Sequence, residues 1–537
     1  MSHSYRSIGI GHLLNPLERA GGELLMAAVV AVFGILVGRL LARFMHGQGL
    51  HWSWAACGLF LLPVARAAFG PLALTLALVT LSAALHGRRR RREDLEAGMD
   101  LAEQAKRMRA PVDLARRASN RLLLARRRRA GAGGWLRAGE LIIGRGEHGR
   151  LVSVPFGGRR GGTHTLLVGA TGSGKTVTQT WIASRAIELG MGVIVLDPKG
   201  DSAMRTALAG AADRAGRPFL EWTPSGSYLY NPFARGSETE IADKALAGER
   251  FTEPHYLRQA QRYLGHVVRA LRAAGVETSL AKIVGGLDPA ALELLARELP
   301  EDRASAVYTY LDSLSARQLA DLSGVRDRLS ILVESDVGRW LEPDDRGRCF
   351  DLLGAVRTRS VVYFELQADR RPLLSKMLGA AIVQDLQTTV ASLQACPRPT
   401  LVLLDEFSAI AAEHVVRLFA RARSAGVSLV LSTQELSDLR LSGREQLLEQ
   451  VLGNITVLLA HRQVVPDSAK LIASLAGSRG AWRTTRLGDG RITRTRTRIE
   501  LLAAEDVMGL ATGQAAAIVP GVGGSQFVAV FAEAERS

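Results

Sequence analysis

The stretch HTLLVGATGSGKT, residues 164–176, decides the fold of this 537-residue chain. It opens with an apolar run that predicts a buried strand, and the residues after Thr176 have the pattern of a helix. Between them, GATGSGKT matches the spacing GxxxxGK[ST] of a loop that cradles phosphate groups. The backbone N–H groups of such a loop and the N-terminus of its helix attract negative charge. The loop residues are Gly169, Ala170, Thr171, Gly172, Ser173, Gly174, Lys175 and Thr176.

Two side chains of this loop are predicted to act on a nucleotide. Lys175 would reach the β- and γ-phosphates, and the hydroxyl of Thr176 would hold Mg²⁺. The motif stands between a strand and a helix, which is the context that distinguishes it from a chance glycine turn. The sequence therefore predicts ATP and Mg²⁺ as the cofactors.

A second motif, LVLLDEF at residues 401–407, places two carboxylates directly after an apolar strand. In open α/β sheets, ligands bind at the carboxyl ends of the strands. Asp405 suits the Mg²⁺ shell, and Glu406 suits a base that polarises an attacking water. Hydrolysis needs both functions, because one carboxylate serves a metal ion and a water poorly at the same time.

Two further strand ends carry polar residues. LSTQE at 431–435 offers Gln434, which could contact the γ-phosphate or orient water. DPKGD at 197–201 places Asp197 and Lys199 beside the same edge of the predicted sheet. For this second stretch, a structural turn and a functional site explain the sequence equally well.

Short apolar runs separated by helical stretches define the fold class. Uniformly apolar strands that alternate with helices indicate a parallel sheet covered on both faces. The segment between residues 236 and 345 has helical spacing and no evident strand, which predicts an all-α insertion in an α/β domain. The candidate strands are 164–168, 193–197, 361–366, 401–405, 427–431, 455–459 and 526–531.

Composition excludes several classes of protein. Apolar residues make up 47% of the chain, which excludes wholesale disorder. Three widely spaced cysteines exclude a disulfide framework and a cysteine-built metal site. The net charge of +16 is concentrated near the N-terminus, since residues 1–150 carry 23 Lys/Arg and 10 Asp/Glu. An evenly basic protein that coats nucleic acid is therefore excluded.

Two apolar segments near the N-terminus predict membrane spans, at about residues 24–44 and 67–85. Five arginines, Arg88 to Arg92, follow the second segment, and basic residues beside a span favour the cytosol. The shorter apolar stretch 52–65 is broken by Pro63. It predicts an interfacial or extracytoplasmic piece, and a third span stays open as an alternative.

These observations divide the chain into five parts. The expected order is a membrane anchor, a basic juxtamembrane linker, the first part of the nucleotide-binding domain, the all-α insertion and the second part of that domain. The corresponding ranges are 1–90, 91–150, 151–235, 236–345 and 346–537.

An arginine-rich segment, residues 479–498, has alternating Arg and Thr on both sides of the turn GDG at 488–490. Period-2 alternation around such a turn predicts a β-hairpin. Its arginines either meet DNA phosphates or an acidic partner, or they keep a solvated edge ribbon soluble.

Together, the motifs resemble those of the coupling-protein ATPases of type IV secretion and conjugation. The resemblance rests on GATGSGKT, VIVLDPKGD, the NPF at 231–233, LVLLDEF and STQELSDL, and it covers residues 160–530. It implies a RecA-like P-loop NTPase with a mainly parallel sheet, an all-α insertion and N-terminal transmembrane helices. It also implies a homo-hexameric ring at the bacterial cytoplasmic (inner) membrane, multi-pass, with its motor domain in the cytosol. The implied partners are DNA, a relaxase, channel components of type IV secretion and membrane lipid.

Members of that family carry an arginine that acts on the neighbouring subunit's nucleotide, in a stretch R-x-x-G after the second motif. RSAG matches this stretch, so the resemblance nominates Arg423, with Arg421 and Arg417 as competitors. The implied catalytic set is Glu406, Lys175, Gln434 and Arg423.

Two alternatives stay open at this point. The phosphate-loop and carboxylate motifs are shared with septal chromosome translocases and HerA-like helicases, which act on double-stranded DNA. A membrane tether whose ATP site gates assembly is a different class. It would hydrolyse ATP slowly and ignore DNA.

Overall fold

The computed structural model describes residues 11–96 and 131–531, apart from short gaps. The gaps are residues 49, 62, 64–65, 68–72, 138, 147–150, 158–160, 225, 250, 252, 344–347, 411, 441–445, 487–491 and 521–524. The chain divides into two units. The first, here called the N-terminal unit, comprises 1–123, 148–150 and 479–499, and the second, the sheet unit, comprises 124–147, 151–478 and 500–537.

The N-terminal unit contains two long helices that pack closely against each other, with a short helix and a 3₁₀ turn between them. The helices are α1 (Gly11–Gly47), α2 (Ser53–Cys57), followed by a 3₁₀ turn (Gly58–Leu61), and α3 (Ala73–Glu96). Gly34 and Gly38 of α1 face α3 so closely that a Cβ on Gly38 would lie 2.6 Å from the Cβ of Ser82. The sequence GILVG at 34–38 is a small-xxx-small pattern, which lets two helices approach in a membrane. Sequence reasoning missed this pattern.

Among the described residues, one helix is long and apolar enough to cross a membrane. It is Leu25–His46, with 22 residues and a mean hydropathy of 2.4. Its large side chains, such as Phe33 and Phe44, are more than half exposed, as expected for a surface that faces lipid. The second predicted span, 67–85, lies partly outside the described residues. Its described part belongs to α3, which continues through the five arginines.

The strands and helices of the sheet unit follow the predicted α/β alternation. The strands of the main sheet are β1 (Leu136–Arg137), β2 (Glu140–Gly146), β3 (Leu151–Pro155), β4 (His164–Val168), β5 (Gly192–Asp197), β6 (Phe219–Trp222), β9 (Val361–Glu365), β10 (Thr400–Leu404), β11 (Val427–Thr433), β12 (Val457–Ala460), β15 (Gln514–Ile518) and β16 (Gln526–Val530). A pair, β7 (Leu229–Tyr230) and β8 (Cys349–Phe350), lies apart from it. The ribbon β13 (Ser478–Arg486) and β14 (Ile492–Glu500) belongs, apart from its end residues 478 and 500, to the N-terminal unit. The helices are α4 (Lys175–Glu188), α5 (Ser202–Arg214), α6 (Glu238–Leu246), α7 (Pro254–Ala273), α8 (Leu280–Gly286), α9 (Pro289–Ala296), α10 (Glu301–Asp312), α11 (Ala316–Val333), α12 (Leu352–Arg357), α13 (Pro372–Ser392), α14 (Phe407–Ile410), α15 (Ala412–Ala422), α16 (Leu447–Asn454), α17 (Pro466–Ala476) and α18 (Ala504–Met508).

Strand order confirms the predicted fold class. In the described residues the order is β1-β2-β16-β15-β12-β4-β11-β10-β5-β9-β6, with β3 beside β2. The run from β12 to β6 is parallel, and the strands beyond β12 are antiparallel. Leu166 and Val168 pack into one buried core and Leu167 into another, so that both faces of the sheet are covered.

The start of the sheet unit differs from the expected boundary. The sequence places residues 91–150 in a basic linker, but strand β2 pairs with β16 and β3. Leu141, Ile142 and Ile143 of β2 are all buried. This short apolar run extends the antiparallel part of the sheet. The sequence analysis did not recognise it as a strand, because the residues around it are rich in arginine. The sheet unit therefore begins before residue 151, and residues 97–130 lie outside the described part of the chain.

Every regular element described between β7 and β8 is a helix or a 3₁₀ turn. This segment contains α6 to α11 and a 3₁₀ turn, Gly338–Leu341. Two of these helices begin with capping boxes, at Ser237 and Ser315, which satisfy N–H groups at their starts. Tyr263, Leu264 and Val267 of α7 belong to the same buried core as one face of the sheet.

Candidate nucleotide site

The phosphate loop lies where the sequence predicts it, between β4 and the start of α4. Gly172 and Gly174 have φ of 74° and 102°, backbone conformations that favour glycine. A Cβ on Gly174 would lie 2.8 Å from the backbone N of Gly513. The loop therefore tolerates no side chain at this glycine, and its backbone curls tightly.

Two buried groups of the loop fit a phosphate. The Oγ of Ser173 is buried and has no hydrogen-bond partner among the described residues. Lys175 is 8% exposed, so its charge lies in a site that excludes most water. Buried polar groups are normally satisfied, and an anion in the loop would satisfy the hydroxyl of Ser173. Thr176 follows on the first turn of α4, where its hydroxyl could hold Mg²⁺.

Asp405 is fixed by two neutral side chains. Its backbone N donates to the carbonyl of Leu196 on β5, which holds it at the carboxyl end of the sheet. Gln179 on α4 donates from Nε2 to Oδ1 of Asp405 at 2.8 Å, and Ser432 on β11 donates to the same oxygen. Both side-chain bonds fall on Oδ1 and fix the orientation of the carboxylate, as a metal ligand would require.

Glu406 contacts two lysines. Its Oε1 lies 3.0 Å from Nζ of Lys175 and 3.2 Å from Nζ of Lys199. Burial by itself would raise the pKa of the Glu406 carboxyl, but the two ammonium groups outweigh it and lower the pKa. Glu406 is therefore ionised at neutral pH, as a base must be. Its φ of 43° is unusual for a residue with a side chain, and strained backbone of this kind is frequent at functional sites.

Gln434 also reaches the loop. The hydroxyl of Thr171 donates to Oε1 of Gln434 at 3.5 Å. Lys175, Asp405, Glu406 and Gln434, predicted from separate strand ends, thus converge at one edge of the sheet. The parallel register of β4, β10 and β11 aligns these ends.

The structure adds residues that sequence reasoning missed. His461 follows β12, and its Nε2 lies 3.0 Å from the hydroxyl of Thr178, while Nδ1 lies 2.9 Å from the carbonyl of Gln514. Burial, with a smaller contribution from the Lys175 charge, lowers the pKa of His461 to about 4. The imidazole is therefore neutral at pH 7, and its contact with Thr178 holds the first turn of α4, directly after the phosphate loop. Its position after an apolar strand was the available signal.

The stretch 197–201 combines a structural and a site-facing residue. Asp197 is fully buried, and its carboxylate accepts from the backbone N of Lys199 and Gly200, both at 2.9 Å, and from Asp201. Tyr363 on β9 also donates to it. Asp197 therefore shapes the turn, whereas the side chain of Lys199 projects to Glu406.

Arg423 lies at the amino ends of the parallel strands, here called the amino edge, whereas the phosphate loop lies at their carboxyl ends, the carboxyl edge. Its carbonyl accepts from the N of Gly162, and its Nη2 donates to Thr456 at 3.2 Å. Both contacts lie where β4 and β12 begin, and the five residues of β4 separate the two edges by roughly 16 Å. Arg423 therefore cannot reach the phosphates of its own chain. Arg417 and Arg421 are exposed on α15.

The arginine-rich segment forms the predicted ribbon, β13 paired with β14. Its turn, 487–491, lies outside the described residues. Arg496 and Arg498 are exposed on β14. They are available to a partner, but no nucleotide-site residue described above lies on this ribbon.

Two family models match parts of the chain that contain residues of the nucleotide site. A model of the family described as the TraM recognition site of TraD and TraG matches residues 399–512. A model of the central domain of the helicase HerA matches residues 139–216. The first match contains Asp405 and Glu406, and the second contains the phosphate loop.

Solved structures share the fold. The bacterial conjugative coupling protein TrwBdeltaN70, in its unbound monoclinic form, has a TM-score of 0.57 at 16% identity and covers 75% of this chain and 90% of its own. VirB4 of Thermoanaerobacter pseudethanolicus has a TM-score of 0.50 at 15% identity, over 75% of this chain and 99% of its own. These matches support the resemblance of the chain to the coupling-protein ATPases of type IV secretion.

The chain is also similar to two further proteins. A 104-residue stretch, 19% of the chain, is 30% identical to an uncharacterized protein of Mycoplasma pneumoniae and covers 69% of it. The plasmid coupling protein TrwB in complex with ADP and Mg²⁺ has a TM-score of 0.52 at 17% identity, over 69% of this chain and 86% of its own.

Proposed function

We propose that this protein is a membrane-anchored ATPase that hydrolyses ATP to move DNA, with a relaxase attached, to a type IV secretion or conjugation channel. The observation that carries the proposal is the meeting of Lys175, Asp405 and Glu406 at one sheet edge. A phosphate loop, a metal-binding carboxylate and a second, ionised carboxylate are the parts that nucleotide hydrolysis requires.

Each residue has a distinct task in this mechanism. Lys175 and the buried hydroxyl of Ser173 bind phosphate oxygens, while Thr176 and Asp405 hold Mg²⁺, which neutralises charge on the transferring phosphoryl group. Glu406 accepts the proton of the attacking water. Gln434, beside Thr171, orients that water. The TrwB complex with ADP and Mg²⁺ supports this choice of cofactors.

A ring of identical subunits, most simply a hexamer, would complete the site. Head-to-tail contacts join unlike surfaces, so the amino edge of one sheet can face the nucleotide of the next subunit. Arg423 lies at that edge, remote from its own phosphate loop. In this proposal it acts in trans, and hydrolysis depends on assembly.

The anchor is proposed to span the inner membrane of a bacterium more than once, through α1 and α3. The support is the apolar helix Leu25–His46 and its close packing, through Gly38, against α3. Full-length protein should stay in the membrane pellet after a carbonate wash. Release into the supernatant would contradict the anchor.

Steady-state ATP turnover of the purified full-length protein tests the function. We expect turnover to rise with added DNA and with DNA length, and Lys175→Ala to lack it. Slow turnover that ignores DNA would instead indicate an assembly switch.

A second candidate, a double-stranded DNA translocase or helicase, is favoured by the HerA match over residues 139–216. Stimulation by duplex alone, and not by single strands, would support this candidate over a relaxase-coupled pump.

A further inference from the structure

The turn after β5 holds Lys199 in a fixed position. The carboxylate of Asp197 accepts three successive backbone N–H groups, of Lys199, Gly200 and Asp201. Tyr363 donates to the same carboxylate from the neighbouring strand β9. With so many bonds on one buried carboxylate, the backbone of this turn has little freedom to move.

The side chain of Lys199 is directed at the catalytic edge. Its ammonium lies 3.2 Å from Oε1 of Glu406, and the ammonium of Lys175 lies 3.0 Å from that same oxygen. Because both contact one oxygen atom, the two cations are close neighbours. Lys175 is the lysine of the phosphate loop, so Lys199 lies in reach of the region where the terminal phosphate would sit.

The two lysines differ in exposure. The side chain of Lys175 is 9% exposed, whereas that of Lys199 is 47% exposed. Lys199 can therefore change partners at low cost, since water already solvates part of it. Two like charges on one carboxylate also repel each other, and a second anion nearby would relieve that repulsion.

We propose that Lys199 is a γ-phosphate-binding residue that distinguishes ATP from ADP within its own subunit. Lys199 pairs with Glu406 when no terminal phosphate is present. When ATP binds, the Lys199 side chain moves and its ammonium pairs with the terminal phosphate instead. This movement leaves Lys175 and Lys199 on opposite sides of the terminal phosphate's charge rather than on one carboxylate oxygen. This inference rests on the proposed ATPase function.

Nucleotide affinity tests the inference without relying on turnover. Dissociation constants for ADP and for a non-hydrolysable ATP analogue, both with Mg²⁺, would be measured by calorimetry on the full-length protein. The variants are Lys199→Met, which keeps the length and removes the charge, and Lys199→Arg, which keeps the charge. Lys470→Met is the matched control, because Lys470 pairs with Asp467 at 3.4 Å on an exposed face of α17.

We expect Lys199→Met to lose about tenfold or more in affinity for the ATP analogue, since a hydrogen bond between charged groups is worth at least that factor. Affinity for ADP should stay unchanged, and Lys199→Arg should retain most of the preference for the ATP analogue. Lys470→Met should match the wild type.

Two results would overturn the inference. If Lys199→Met keeps the wild-type ratio of the two affinities, whether or not both fall together, Lys199 has only a structural effect, and the proposed ATPase function is untouched. If the wild-type protein binds neither nucleotide, the proposed function fails and this inference fails with it.

Discussion

The central sheet carries polar chemistry at both of its edges, but the two edges are built differently. At the carboxyl edge, Lys175, Asp405 and Glu406 are 8%, 7% and 7% exposed, and their charges meet partners in the same chain. At the amino edge, the exposed Arg423 bonds to a neutral hydroxyl, that of Thr456. One edge is assembled within a single chain, whereas the other presents a cation to the outside. Under the proposed function, this difference means that one chain builds most of the hydrolytic site and that Arg423 completes the site of a neighbouring subunit.

The largest expected effect lies at the amino edge. Arg423→Ala should lower ATP turnover by ~10³–10⁵-fold, because an arginine on the transferring phosphoryl group supplies that much catalysis. Steady-state turnover measures it, with the exposed Arg421→Ala as control. Mixing Arg423→Ala with Lys175→Ala protein should restore part of the activity, since some interfaces then hold both residues. If Arg423→Ala protein alone has wild-type turnover, Arg423 does not act on the neighbouring subunit's nucleotide. Arg421 and Arg417 would then be the remaining candidates.

The next effect lies at the carboxyl edge. Glu406→Gln should lower turnover by ~10²–10⁴-fold, the contribution of a general base, while ATP stays bound. Mixing with Arg423→Ala protein should restore turnover only at those interfaces that hold both an unchanged Glu406 and an unchanged Arg423. Glu449→Gln, at an exposed glutamate paired with Arg440, is the control. Normal turnover in purified Glu406→Gln protein would remove Glu406 from catalysis.

A smaller effect probes how the carboxyl edge is held together. Gln179→Met removes the 2.8 Å bond to Asp405 with little change of volume. The Mg²⁺ concentration for half-maximal turnover should rise about 10- to 100-fold, as for other residues that orient a metal ligand. Gln387→Met, which removes an amide bond to the carbonyl of His414, should leave that concentration unchanged. An unaltered Mg²⁺ requirement in Gln179→Met would show that Asp405 needs no such support.

The smallest effect compares a buried histidine from each edge. Burial, together with the charge of Arg423, lowers the pKa of His164 at the amino edge to about 4, and His461 at the carboxyl edge has the same lowered pKa. Between pH 6.5 and 4 the unfolded chain binds protons at these sites and the folded chain does not. The free energy of unfolding therefore falls as the pH decreases, by about 1 kcal/mol per histidine from pH 7 to 5.5.

Chemical denaturation at the two pH values measures this fall. Replacing either His164 or His461 by Asn should flatten the dependence by about the same amount, whatever the variant does to stability at pH 7. His255→Asn, at an exposed position of α7, is the control. An equally steep dependence in both buried variants would show that neither edge excludes protons as the structure implies.

Sequence reasoning found the elements whose patterns are local. The apolar runs at 164–168, 427–433 and 400–404 are strands because short β-branched and leucine-rich segments between glycine and polar turns have few other stable conformations. The strands that it missed include β2, β3, β6 and β15, the last being the alanine-rich QAAAI. Such a segment has weak strand propensity, and it becomes a strand because β12 and β16 lie on either side to pair with it.

By itself, the sequence determined that a phosphate loop, two carboxylates and Gln434 stand at strand ends, because each of these signals is contained in fewer than ten consecutive residues. The tertiary structure decided which of them touch. Lys199 reaches Glu406 across 207 residues, and Gln179 reaches Asp405 across 226. It also placed Arg423 at the edge away from the loop. Contacts of this kind depend on the order and register of the parallel strands, and these are set by packing both faces of the sheet at once, a condition that no local pattern contains.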